Sequence, residues 1–129
     1  MPGLFEFATF FGMCVGFMAL YVGLYMCATP NREITLISGD NLPAAVVLAG
    51  AVLGFALPLS SALRVADSVA IIAAWAFIAL VAQLVAYALV ALLLKDFAKR
   101  INRGEMAAAV LAAAIHVSVG LLNSAAMNY

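Results

Sequence analysis

Four stretches of this chain contain no charged side chain: Phe7 to Ala28 (22 residues), Leu42 to Leu63 (22), Val69 to Leu94 (26) and Met106 to Tyr129 (24). About 20 apolar residues rising ~1.5 Å each cross the ~30 Å hydrocarbon layer of a bilayer. In lipid a backbone amide finds no water, so each segment must bond its own amides and can only be a helix. The four stretches cover 94 of 129 residues, which leaves short connections and no room for a separate soluble domain. Composition agrees: 68% of residues are hydrophobic and 9% charged, with a mean hydropathy of +1.19, against about 25% charged residues in a soluble domain. Six cations balance six anions, which removes any case for a nucleic-acid partner. The expected fold is a single all-α integral membrane domain with transmembrane helices at about 7–28, 42–63, 69–94 and 106–128.

The first apolar run is longer than the roughly 7–15 residues of a secretory signal core and no Lys or Arg precedes it, so it reads as a retained helix. Positive charge fixes the expected orientation. Arg32, Lys95, Lys99, Arg100 and Arg103 fall in the loops on one side, and Arg64 stands on the other. Both termini should therefore face outward, with the two longer loops in the cytoplasm. The five-residue outer turn from Arg64 to Ser68 makes the second and third helices antiparallel neighbours. In the loop after the third helix, helical spacing puts Lys95, Lys99 and Arg103 on one face and Phe97 and Ile101 on the other, with Asp96 one turn before Arg100. This is the pattern of a short extension lying at the interface, apolar residues toward acyl chains and cations toward headgroups, and the plainer, favoured reading is ordinary positive-inside anchoring.

The second and fourth spans resemble one another at an offset of 63 residues: Ala44, Ala45, Val47, Leu48, Ala49, Leu59, Ser61 and Ala62 recur as Ala107, Ala108, Val110, Leu111, Ala112, Leu122, Ser124 and Ala125. The chain reads as two tandem helical hairpins, about 1–64 and 65–129, related as a parallel internal repeat. Before each of these two spans stands a glycine and an acid, Gly39-Asp40 and Gly104-Glu105, which read as helix N-caps.

Polar groups within the spans are the costly ones and the candidates for function. Gln83 and His116 lie near the middle of the third and fourth spans, and His116, Gly120, Asn123 and Met127 form one stripe. Ser60, Ser61, Asn123 and Ser124 share a depth in the outer half, near Glu6, so that these groups could form an outward-facing polar cup. The plainer reading is hydrogen bonding between helices. Close packing is expected at two small-residue faces, Gly12 with Gly16 and Gly50 with Gly54. Pro58 removes an amide from the second span and should kink it, with the hydroxyls of Ser60 and Ser61 satisfying the freed carbonyls. Cys14 and Cys27 are 13 residues apart on one helix, ~20 Å, which is beyond disulfide reach. Trp75, Tyr21, Tyr25 and Tyr129 read in part as interfacial aromatics. No phosphate-binding loop, metal-ligand spacing or carboxylate pair is present, so neither catalysis nor a cofactor is expected.

Three motifs occurring in order, Leu57-Pro58-Leu59-Ser60-Ser61-Ala62, Trp75 with Ile78-Ala79-Leu80-Val81-Ala82-Gln83-Leu84, and Gly120-Leu121-Leu122-Asn123-Ser124-Ala125-Ala126-Met127, resemble the domain of unknown function 350 family. The resemblance covers nearly the whole chain and is weakest in the first helix. It implies a four-helix bacterial inner-membrane protein of two hairpins, and it carries no established activity, substrate or catalytic residue. The leading functional expectation is a noncatalytic membrane component that associates with itself or with other membrane proteins. The alternative is a small oligomeric channel or transporter whose path is lined by the polar residues above.

Overall fold

The computed structural model describes residues 2–28 and 33–127. Within them six helices follow one another: α1 (Pro2–Ala28), α2 (Glu33–Ser38), α3 (Leu42–Val65), α4 (Val69–Leu93), α5 (Phe97–Asn102) and α6 (Met106–Ala126). The described residues contain no strand. Four of these helices, α1, α3, α4 and α6, are long and apolar enough to cross a membrane. They correspond to the four charge-free stretches with shifts at the ends. α1 starts at Pro2 rather than Phe7, taking in Glu6, because nothing between Pro2 and Phe7 breaks a helix and proline is well placed in a first turn. α3 runs two residues beyond Leu63, so the outer connection shrinks to Ala66, Asp67 and Ser68. Ser68 Oγ accepts the Ile71 amide at 3.3 Å and caps α4. Arg32 and Tyr129, invoked above for orientation and for the interface, lie outside the described residues.

The two short helices occupy matching places. Each ends in the same capping pattern. After α2, the Asn41 amide bonds the Leu36 carbonyl and the Asp40 amide bonds that of Ile37; after α5, the Glu105 amide bonds Arg100 and the Gly104 amide bonds Ile101. This is the Schellman arrangement, which requires a left-handed residue just past the helix. Asp40 (φ 67°) and Gly104 (φ 84°) supply it. Such recurrence at an offset of 64 is consistent with the tandem hairpins.

The same geometry corrects the expected caps. Asp40 sits in the helix-ending turn, and the cap of α3 is Asn41, whose Oδ1 accepts the Ala44 amide at 2.9 Å. Asn41 Nδ2 also donates to the Ile101 carbonyl at 3.1 Å and so joins the two connections. Glu105 does stand at the cap position of α6 but makes no side-chain cap bond. Its carboxylate receives Arg103 at 2.7 Å and Arg100 at 3.0 Å. Those two guanidiniums hold the Glu105 carboxyl below the usual carboxylate range. Arg100 is thus paired with Glu105 rather than with Asp96, which takes a left-handed turn (φ 56°) between α4 and α5. α5 itself is less interfacial than its pattern suggests: Lys99 is exposed, but Ile101 is buried in the core with Phe97 packed beside it.

α3 and α6 form the most extensive helix pair, α4 lies against both, and α1 lies against α3 and α4. Both members of the central pair begin at the α2/α5 end, so they are parallel. Residues 63 apart meet across them, Ser61 with Ser124 and Gly50 with Ala113. The approach is close enough to require glycine. A Cβ on Gly50 would stand 2.6 Å from Ala113 Cα, and one on Gly120 would strike the Gly54 carbonyl. Ala51, Ala62, Ala76, Ala79, Ala86, Ala109 and Ala112 are fully buried around this contact, since small side chains let backbones approach where the lipid offers no hydrophobic drive. Gly12 and Gly16 behave differently from expectation: nothing lies within 4 Å of a Cβ at either, because they share with Gly23 the face of α1 turned away from the other helices, opposite the buried Cys14, Tyr21 and Tyr25. Tyr21 and Tyr25 depart as well, being 1% exposed inside the bundle instead of at an interface.

Replacing Gly120 by Ala should cost about 1–3 kcal/mol through overpacking. Gly23, which has open space around its Cβ position, should gain roughly 0.5–1 kcal/mol on the same change from helix propensity. Reversible unfolding in mixed micelles would measure both, and equal effects at the two sites would refute the close contact.

Candidate functional site

The polar residues divide into two groups instead of one cup. The central group starts from a backbone fact. In a helix the Gly54 carbonyl would accept the amide four residues on, and that residue is Pro58, which has none. α3 nevertheless continues through Pro58 as one helix. The acceptor left over is taken by Gln83 of α4, whose Nε2 donates to Gly54 O at 3.1 Å and to His116 O at 3.2 Å. The expectation that Ser60 or Ser61 would serve this carbonyl is therefore incorrect; their hydroxyls are engaged at the outer end of the bundle.

With both amide hydrogens of Gln83 committed, its Oε1 must be the acceptor of the 2.8 Å bond to His116 Nδ1. That bond puts the proton of a neutral imidazole on Nδ1. Gln83 is 0% exposed and His116 1%. The Tyr25 ring meets the His116 ring edge-on at 5.9 Å and the Tyr87 ring at 5.7 Å, and Tyr87 O–H donates to the Ala28 carbonyl at 3.2 Å. Tyr21 stacks on Phe55 at 4.7 Å. The group therefore ties α1, α3, α4 and α6 together in the middle of the bundle.

The outer group lies eight residues along α6, about 12 Å away at ~1.5 Å per residue. Ser61, fully buried, shares a hydrogen bond with Ser124 across the α3/α6 contact. Arg64 donates to Ser60 Oγ at 2.9 Å and to Ser61 Oγ at 3.1 Å. Asn123 joins neither group: its Nδ2 is buried without a partner among the described residues, as is the Tyr21 hydroxyl. Glu6 is exposed on α1 and forms no ion pair with Arg64. Two residues carry roles that their sequence positions do not announce. Gly120 is visible as a member of the His116 stripe, but its packing role shows only when α3 is laid against it. Arg64 reads as a topology marker; its i and i+3/i+4 register with Ser61 and Ser60 is the available signal of its contacts.

Chemically, the central group is closed. Every strong donor of Gln83 is used on protein acceptors, and among the described residues no group of His, Cys, Asp and Glu could hold a metal ion. Cys14 and Cys27 are free thiols. A cavity of about 370 Å³ opens at the opposite end, between the end of α4 and α5, lined by Tyr87, Asp96, Phe97, Lys99 and Asn102. Neither Gln83 nor His116 lines it.

Nearly the whole chain, residues 1–127, matches a family described as Domain of Unknown Function (DUF350). The chain belongs to this family. The match includes the first helix, where the motif resemblance is weakest. A relative from Escherichia coli K12, the "UPF0719 inner membrane protein YjfL", is 31% identical over 129 residues, covering 100% of this chain and 98% of the relative. The protein of the same name from Escherichia coli O157:H7 is similar to the same extent. No solved structure matches. Membership in DUF350 agrees with a multi-pass membrane protein and supplies no catalytic assignment to the two polar groups.

His116→Phe keeps the ring contact with Tyr25 but removes the donor to Gln83 Oε1, and should destabilise the protein by about 1–3 kcal/mol. Ser124→Ala should cost nearer ~0.6 kcal/mol, the average for an interhelical bond in membranes. Steric-trapping measurements in bicelles would rank the two, and a reversed order would contradict the central role of Gln83.

Proposed function

We propose that this DUF350 protein is a noncatalytic component of the bacterial inner membrane that associates through α1 with a second copy or with another membrane protein. The observation that carries this reading is the unequal use of small residues. Gly50, Gly54 and Gly120 are consumed inside the bundle, while Gly12 and Gly16 face open space on a helix whose outer half leaves Phe5, Phe7 and Phe11 exposed. Glycine in a membrane helix costs propensity and is useful where another backbone approaches. The name of the Escherichia coli relative supports the inner membrane. The excess of Lys95, Lys99, Arg100 and Arg103 on one side supports periplasmic termini.

A solute path is the rival reading, favoured by the unpartnered Nδ2 of Asn123 and by the run of polar groups from Arg64 to Gln83. Complete burial of Gln83, His116 and Ser61 within one subunit argues against it, since a path lined by them would need the α3/α6 contact to open.

In a background lacking Cys14 and Cys27, cysteines at Gln83 and Asn123 should resist a membrane-impermeant maleimide added to intact cells, and one at Leu4 should react from outside. Labelling at both Gln83 and Asn123 would establish the path instead. Gly12→Leu with Gly16→Leu should reduce the oligomer or partner complex to free monomer in mild detergent; an unchanged size would remove α1 as the contact.

A further inference from the structure

Arg64 is the cation at the outer end of α3, and among the described residues it has no carboxylate partner. Glu6 and Asp67, the acids at that end, form no ion pair with it, the described ion pairs being those of Glu105. The guanidinium is nevertheless held in place, Nη1 on Ser60 and Nη2 on Ser61. Two of its five N–H donors are used by those bonds, which leaves three for another acceptor. A fixed planar fork of this kind suits the oxygens of a phosphate better than a freely moving ammonium does.

Directly beneath lies an apolar cleft of about 290 Å³ between α1 and α3, lined by Phe11, Cys14, Met18, Ala56, Leu59 and Ser60. Ser60 belongs to both features: its hydroxyl receives Arg64 and its side borders the cleft. Ala56 is eight residues before Arg64, so the cleft reaches about 12 Å below the Arg64 backbone at ~1.5 Å per residue, and less below the guanidinium, which is folded back onto Ser60 and Ser61. The α1 wall of the cleft is the packed face of that helix, where Cys14 is buried and Met18 lies against the core, continuous with Tyr21 and Tyr25. A cation at headgroup depth above an apolar slot running toward the bilayer centre matches the charge order of one phospholipid.

We propose that this cleft holds one acyl chain of an anionic glycerophospholipid whose phosphate is bound by Arg64. The chain leaves one apolar surface for another, so the apolar cleft contributes shape and the Arg64 fork contributes selectivity. Phosphatidylglycerol, with net negative charge, is preferred over zwitterionic phosphatidylcholine, whose ammonium would offset the attraction.

The test is native mass spectrometry of the full chain released from nanodiscs of equal dioleoyl phosphatidylglycerol and dioleoyl phosphatidylcholine. Wild type should retain one phosphatidylglycerol in preference to phosphatidylcholine by about tenfold, the scale of a charge-assisted hydrogen-bonded pair. Arg64→Gln, an exposed change, should bring the ratio near unity, and Arg64→Lys should fall between. Ala56→Phe, which fills the cleft, should abolish retention of both lipids; Arg64→Gln keeps the proposal testable if that variant misfolds. A wild-type ratio near unity, or an Arg64→Gln variant with the wild-type ratio, overturns the proposal. So does equal protection against thermal unfolding by water-soluble glycerol 1-phosphate, which would assign the site to a free phosphate.

Discussion

One backbone carbonyl organises the middle of this bundle. Proline at position 58 takes away the amide that would serve Gly54, and a bare carbonyl in a dry interior is expensive. Gln83 supplies the missing donor from α4, and its second amide hydrogen reaches the His116 carbonyl on α6. A side chain that must touch two backbones sets their separation, and that separation tolerates nothing larger than hydrogen at Gly54 and Gly120. The proline, the glutamine and the glycines therefore form one structural requirement. His116 completes it by giving Gln83 Oε1 its donor.

The remaining helices are arranged by this contact. α3 and α6 are parallel and in register, so that Ser61 meets Ser124, and α4 occupies the groove that brings Gln83 to both. α1 is attached along one face, through Phe10, Cys14, Tyr21, Tyr25 and the Tyr87 bond to Ala28, and is open on the opposite face that carries Gly12 and Gly16. This division separates a closed body from a peripheral helix with an exposed apolar surface. The exposed surface that the proposed assembly role and the proposed lipid cleft draw on lies on α1, while the polar interior is spent on cohesion.

Much of this is legible in the sequence. Charge-free length locates four spans, because a bilayer imposes a minimum run that no loop satisfies. Gln83, His116 and the Gly50-Gly54 face stand out since each is costly or useless in lipid unless another helix meets it. The partners are not legible. Nothing local says that the carbonyl freed by Pro58 is reached from Gln83, 25 positions along the chain, and the nearby serines look adequate until their bonds to Arg64 are seen. Capping misleads for a similar reason: Asp40 and Glu105 carry the usual cap chemistry, but the Schellman turns place Asn41 at one cap and leave Glu105 to two arginines. Gly12 and Gly16 share the spacing of Gly50 and Gly54, and only tertiary placement distinguishes a used face from an open one.

The dependence of Gln83 on Pro58 is measurable as a coupling free energy. In a double-mutant cycle of Gln83→Leu and Pro58→Ala, alanine restores the amide to the Gly54 carbonyl, so losing Gln83 should cost about 1 kcal/mol less in the Pro58→Ala background than in wild type. Unfolding in bicelles gives all four free energies. Additivity within about 0.3–0.5 kcal/mol, the behaviour of independent sites, would contradict the central claim that the glutamine is held in the membrane by the carbonyl the proline exposes.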